Sequence, residues 1–171
     1  DSLSYKLFLN EFSFIFIVAF IIGLIGLVED LSQKLKSFIR LLIMIVIVMI
    51  ALYVRPDMLP MDMPLFTLYN LNSVYLVYIV TTLMIVGFIN AGNMTDGANG
   101  LLSIITLMFI LVLYMLYPSV LNLSLIISLV SFAIYNISTG RIFLGDFGAY
   151  FLSSYVAFSS LITYSEFNLP I

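Results

Sequence analysis

Residues 12–30 read Phe12-Ser13-Phe14-Ile15-Phe16-Ile17-Val18-Ala19-Phe20-Ile21-Ile22-Gly23-Leu24-Ile25-Gly26-Leu27-Val28-Glu29-Asp30. The run from Phe12 to Val28 carries no charge, and then two carboxylates arrive together. A membrane-crossing helix needs about 20 mostly apolar residues, within a range of roughly 17–25. The run is therefore long enough to span, and it delivers a pair of acids to one bilayer face.

Five further stretches behave in the same way: 38–54, 74–89, 101–117, 121–137 and 147–164. Several are slightly short, and the plentiful Tyr residues at their ends suit the membrane interface. No polar–apolar alternation of the kind a membrane barrel needs competes with them. The expected fold class is all-α, a polytopic membrane helical bundle with about six transmembrane helices, forming a single integral-membrane domain over residues 1–171. The one long connection, 55–72, holds Pro56, Pro60 and Pro64 and is expected to lie along the membrane surface. Counting crossings puts the connections 29–37, 90–100 and 138–146 on one side. Lys34, Lys36, Arg40 and Arg141 fall there, against Lys6 and Arg55 opposite, so the positive-inside bias makes that side cytoplasmic. Glu29, Asp30, Asp96 and Asp146 abut helix ends on the same side.

Composition narrows the chemistry. The chain is 63% hydrophobic and 9% charged, with mean hydropathy +1.21, whereas soluble domains are about a quarter charged. It has no Cys, which excludes disulfides and thiolate chemistry, and no His, which removes the commonest general base and metal ligand. Any reaction must rest on carboxylates, amides, hydroxyls and Lys or Arg. A net charge of −3 and the lack of a basic run argue against nucleic acid as a partner.

Three segments carry possible chemistry, each with a plainer reading. In Gly26-Leu27-Val28-Glu29-Asp30-Leu31-Ser32-Gln33-Lys34 the acids could be a solvated helix end, with Ser32 capping the next helix. Carboxylates at a helix C-terminus face the negative end of its dipole, so a cation such as Lys34, Lys36 or a metal is expected beside them. Asn90-Ala91-Gly92-Asn93-Met94-Thr95-Asp96-Gly97-Ala98-Asn99-Gly100-Leu101 reads most simply as a turn. It is longer than a turn needs, and it opens onto a helix N-terminus, which suits an anion or a nucleotide. In Asn136-Ile137-Ser138-Thr139-Gly140-Arg141-Ile142-Phe143-Leu144-Gly145-Asp146-Phe147-Gly148, Asp146 could merely cap the final helix. Asp, Gly and an aromatic together could also hold a metal and stack a base.

Taken in order, the three segments resemble the polyprenyl-phosphate N-acetylhexosamine-1-phosphate transferases of glycosyltransferase family 4. Asn90–Leu101 is similar to that family's Asn, Asn, Asp-Gly, Gly-Leu signature, and Phe143–Gly148 to its Phe-x-Gly-Asp-x-Gly motif. Asn136 stands ten residues before Asp146, as the family's loop asparagine does, and Glu29-Asp30 occupies the place of an Asp-Asp pair. The resemblance implies transfer of a sugar-1-phosphate from a UDP-N-acetylhexosamine to undecaprenyl phosphate with release of UMP, the initiating membrane step of a cell-surface glycan, O-antigen or cell-wall polymer. It implies Mg²⁺, with Mn²⁺ as an alternative, held by Asp146. Asp30, Glu29 and Asp96 would be the catalytic acids, the first two orienting or deprotonating the lipid phosphate with Lys34 beside it. Phe143 would stack uracil, and Asn93, Asn99 and Asn136 would bind substrate. It implies a bacterial cytoplasmic (inner) membrane location with the site facing the cytoplasm, and it admits a homodimer. Glu29 replaces the first Asp of the pair, Asn99 a frequent second Asp and Ala149 a common Ser; the first two departures point to the cell-surface-glycan branch rather than the peptidoglycan one. The family also carries about ten spans of the usual ~20-residue length and a His-rich loop, so this chain is expected to be an internal fragment.

Two other classes predict different patterns. A fragment of an ion-coupled transporter places acids inside its spans near the midplane, and an inactive membrane scaffold has no need of Asp30, Asp96 and Asp146 together. The acids at helix ends on one side favour the transferase.

Overall fold

The computed structural model describes residues 2–32, 36–61 and 73–167, with side chains between residues 12 and 165 of those ranges. The described residues form six α-helices and no strand: α1 (Ser2–Ser32), α2 (Ser37–Val54), α3 (Val74–Thr95), α4 (Leu101–Leu116), α5 (Val120–Thr139) and α6 (Gly145–Phe167), with a 3-10 turn at Pro56–Met58. Four stretches, Phe12–Ser32, Ser37–Val54, Val74–Thr95 and Val120–Thr139, are long and apolar enough to cross a membrane; Leu101–Leu116 is apolar but shorter. The all-α membrane bundle expected from the sequence is the fold observed.

Helix ends follow local chemistry. Arg55 and Tyr117 leave helical geometry, with φ −126° and −137°, because each precedes a proline, whose ring disfavours the α conformation in the residue before it. Ser119 begins α5, its hydroxyl accepting the Asn122 amide at 3.0 Å. Gly140 ends α5 at φ 59°.

α6 is the centre of the bundle, packed most extensively on α1 and then on α3. It is the least apolar of the six helices yet the most enclosed: Ala149, Tyr150, Leu152, Ser153, Ser154, Tyr155, Val156, Phe158 and Ser159 are all buried. Lipid tails are as apolar as Leu, so helices in a bilayer associate through close packing of small residues and shared hydrogen bonds. That pattern holds here. Gly26 of α1 and Gly92 of α3 leave no room for a Cβ against α6, one at Gly23 would be tight at 3.1 Å, and the Tyr155 hydroxyl donates to Asn122 Oδ1 at 2.5 Å. The outward faces are apolar instead, with Ile17, Phe20, Ile21 and Leu24 of α1 and Val46, Met49 and Ile50 of α2 exposed. Exposed apolar surface this continuous marks contact with lipid or protein rather than water.

Two boundaries differ from the sequence reading. Ser32 does not cap the second helix; it is the last residue of α1, its hydroxyl donating to the Val28 carbonyl at 2.5 Å. The Asn90–Leu101 loop is mostly helix, since α3 runs on through Thr95 and leaves only residues 96–100 as a connection. Asn90 sustains that extension by donating to the Val86 carbonyl at 2.8 Å, and Thr95 by donating to Gly92 at 2.7 Å.

Candidate active site

The described parts of the three connections named from crossing counts meet at one end of the bundle, around the N-terminus of α6. Gly145 opens that helix at φ 69°, and its first amides have no partner within the helix. Carboxylates from two other helix ends supply acceptors. Asp96, directly after α3, accepts the Leu144 amide at 3.3 Å on one oxygen and the Gly145 amide at 3.1 Å on the other. Asp30, in the last turn of α1, receives the Phe147 amide at 3.4 Å. The unfavourable position of the acids at the end of α1 is thus relieved by the positive end of an antiparallel neighbour. Gly26 allows this approach: a Cβ there would stand 2.4 Å from the Asp146 carbonyl.

Glu29 points elsewhere. It forms an ion pair with Arg40, in the first turn of α2, both side chains being about four-fifths buried. The guanidinium lies 5.6 Å from the centre of the Tyr150 ring, a cation–π distance. The Asn93 amide donates to the Tyr150 hydroxyl at 3.3 Å. Asn93 and Asp146 line a polar cleft of about 240 Å³ together with Asp96, Gly97 and Phe143. Phe143 is half exposed at its rim.

Burial raises the carboxyls of both Asp96 and Asp146 above the usual carboxylate range. At Asp96 the two amide donors oppose that rise and the Asp30 charge adds to it. At Asp146, one residue ahead of the apolar 147–164 stretch, the Asn93 hydrogen bond opposes it, Glu29 and Asp30 add to it, and Arg40 draws it back. The cleft therefore carries more negative than positive charge. Among the described residues no group of three or more Asp or Glu side chains is close enough to cage a metal by itself.

The remaining sequence candidates have distinct surroundings. Asn99 is exposed and lies against Gly140, whose Cβ would stand 2.9 Å from its Nδ2. Asn136 is buried, and its amide donates to the Ile142 carbonyl, tying down the 140–144 connection from beneath. Lys34 lies outside the described residues. The sequence reading missed Arg40 and Tyr150. Arg40 had a signal: it is a cation two residues inside the 38–54 apolar run, and an ionisable group in a span is a functional candidate by default. Tyr150 had none, being one of 11 tyrosines in the chain.

The family model described as glycosyl transferase family 4 matches residues 12–164, nearly the whole chain. The chain belongs to glycosyl transferase family 4. A probable undecaprenyl-phosphate N-acetylglucosaminyl 1-phosphate transferase of Bacillus subtilis (strain 168) is 37% identical to this family-4 chain over 154 residues, covering 84% of it and 42% of the relative. A phospho-N-acetylmuramoyl-pentapeptide-transferase of Dictyoglomus thermophilum is 31% identical over 175 residues, covering 95% of the chain and 56% of the relative. One of the same name from Fervidobacterium nodosum is 35% identical over 101 residues, covering 56% and 32%. The family-4 chain spans about half the length of these two curated relatives from Bacillus subtilis and Dictyoglomus thermophilum. No solved structure matches it.

Proposed function

We propose that this chain is the catalytic-site portion of a transferase that moves N-acetylhexosamine-1-phosphate from a UDP-sugar to undecaprenyl phosphate and releases UMP. The observation that carries the reading is the meeting of Asp30, Asp96 and Asp146, from three separate helix ends, around the N-terminus of α6 beside a polar cleft. The names of the relatives support the substrate class. The same reading puts this end at the cytoplasmic face of a bacterial membrane, supported by the positive-inside bias of the sequence. Lys34, Lys36, Arg40 and Arg141 fall in or next to the connections counted to this side, against Lys6 and Arg55 opposite.

In the reaction an oxygen of the lipid phosphate forms a bond to the β-phosphorus as the bond from that phosphorus to the UMP oxygen breaks. Such transfers depend on positioning and charge neutralisation. Asp146 and Asn93 offer oxygen donors in an electronegative cleft. That set suits Mg²⁺, which takes one or two protein carboxylates and completes its shell with phosphate oxygens and water. Bound there, the ion would neutralise charge on the diphosphate. Phe143, half exposed at the rim, gives uracil a stacking face. Asp30 is exposed and takes one long amide contact, so it remains able to orient the lipid phosphate or accept its proton. Asp96 holds the Leu144–Gly145 backbone, and so the cleft wall, in place.

The test uses the full-length parent protein in membranes with UDP-N-acetylhexosamines, undecaprenyl phosphate and Mg²⁺, following UMP release. Activity is expected to disappear with Asp146→Ala and with removal of divalent metal; activity surviving both rejects the reading.

A further inference from the structure

Arg40 is the one cation among the described residues that faces the acids of the cleft from within the bundle, and its contacts lead toward Asp146. Its guanidinium pairs with Glu29 Oε1 on one side and covers the Tyr150 ring on the other. Tyr150 is wholly buried, with its hydroxyl receiving the Asn93 amide, and Asn93 in turn lines the cleft beside Asp146. A connected path of charge, ring and amide thus runs from the α1–α2 hairpin to the cleft. The pair itself is incompletely satisfied: Glu29 Oε2 and Arg40 Nε are both buried without a hydrogen-bond partner. Evolution for stability alone gains little from such an arrangement, because desolvating two charges costs about as much as their attraction returns.

We infer that Arg40 is a positioning residue of this site: it withdraws Glu29 from the reacting set and, through Tyr150 and Asn93, fixes the Asp146 carboxylate. The inference deepens the transferase reading, and only its kinetic arm rests on that reading. Glu29 then serves as the anchor of Arg40, leaving Asp30 as the carboxylate of the pair that meets substrate. The plainer role is a hairpin tie that stabilises α1 against α2 and has no bearing on the cleft.

The two roles separate by the sign of one measurement. Removing a positive charge near Asp146 by itself tightens the binding of a divalent cation, since like charges repel. Losing the path that orients Asp146 weakens it. The experiment titrates Mn²⁺ by electron paramagnetic resonance into the detergent-solubilised full-length protein, comparing wild type, Arg40→Gln, Arg40→Lys, Tyr150→Phe and the double variant Glu29→Gln with Arg40→Gln, alongside thermal unfolding. Mn²⁺ affinity is expected to fall at least threefold in Arg40→Gln, to recover in part in Arg40→Lys, and to stay low in the double variant even as its melting temperature returns toward wild type. kcat for UMP release is expected to fall tenfold or more in Arg40→Gln and in the double variant. Unchanged or tighter Mn²⁺ binding in a folded Arg40→Gln protein overturns the inference, as does recovery of affinity and kcat together with stability in the double variant. A wild type that shows the Mn²⁺ pattern but releases no UMP overturns the transferase reading and leaves the positioning role standing.

Discussion

Gly26→Ala adds one carbon at the closest approach of α1 and α6. That carbon would stand 2.4 Å from the carbonyl carbon and oxygen of Asp146 and 2.6 Å from the Phe147 nitrogen, all backbone atoms with no rotamer to yield. Ordinary contact begins at 3.4 Å, so the two helices must part by roughly 1 Å there. Overpacking of this kind costs about 1–3 kcal/mol, and Ala recovers up to about 1 kcal/mol through its better helix propensity. Each net kcal/mol lowers Tm by about 2–4 °C in a protein of roughly 150–250 residues and by less in a longer one, so a drop of at most a few degrees is expected. Activity suffers more, because the displaced backbone is that of Asp146 itself and a 1 Å misplacement near the chemistry costs about a hundredfold. Gly87→Ala is the control, since nothing lies within 4 Å of its added carbon. The assay pairs thermal unfolding in detergent with UMP release by the full-length protein. Wild-type kcat in Gly26→Ala, or equal losses in Gly87→Ala, would show that the close approach of α1 and α6 does not set the site.

Asp96→Ala leaves the Leu144 and Gly145 amides without their acceptor, at about 1–3 kcal/mol; hydrogen exchange at these two amides is expected to accelerate while exchange in the middle of α5 stays as it was. Phe143→Ala is expected to raise KM for the UDP-sugar by about one to two orders of magnitude, from a stacking energy of about 1–3 kcal/mol, with Phe143→Tyr near wild type; equal KM values in all three proteins count against uracil at this rim. At the far end of α2, the Arg55 guanidinium hydrogen-bonds Asp57 and holds its carboxyl below the ordinary 3.8. A depressed acid stabilises the fold above its unfolded value and loses that contribution as pH falls through the folded one. The pair is exposed, so the effect stays below about 1 kcal/mol. The Tm difference between wild type and Asp57→Asn is therefore expected near neutral pH and to vanish below pH 3.8; a difference that persists in acid means the carboxylate charge is not its source.

The helical membrane class was legible because it depends on run length and apolarity, which a sequence displays directly. The sidedness of Glu29, Asp30, Asp96 and Asp146 followed from counting crossings, and the structure indeed brings these acids to one end. Their division of labour was less legible. Asp96, read as an acid of the site, does line the cleft, and the structure adds that both of its oxygens hold backbone amides 48 and 49 residues away. Glu29 was expected beside Lys34, Lys36 or a metal, and the structure pairs it with Arg40, one helix turn beyond Lys36. Nothing in the sequence signalled that Asn136 is buried and donates to the Ile142 carbonyl of the 140–144 connection.

The sequence alone determined that the chain is built of apolar runs near bilayer-spanning length, four of them long enough to cross as helices, and that carboxylates gather at one end of them, because solvent preference acts residue by residue. Which carboxylate is held by a cation, which by a helix N-terminus and which faces the cleft was decided only by packing. Those assignments depend on Gly26 letting α6 approach α1 and on Arg40 reaching across from α2, contacts between residues far apart in the chain whose energies no local pattern encodes.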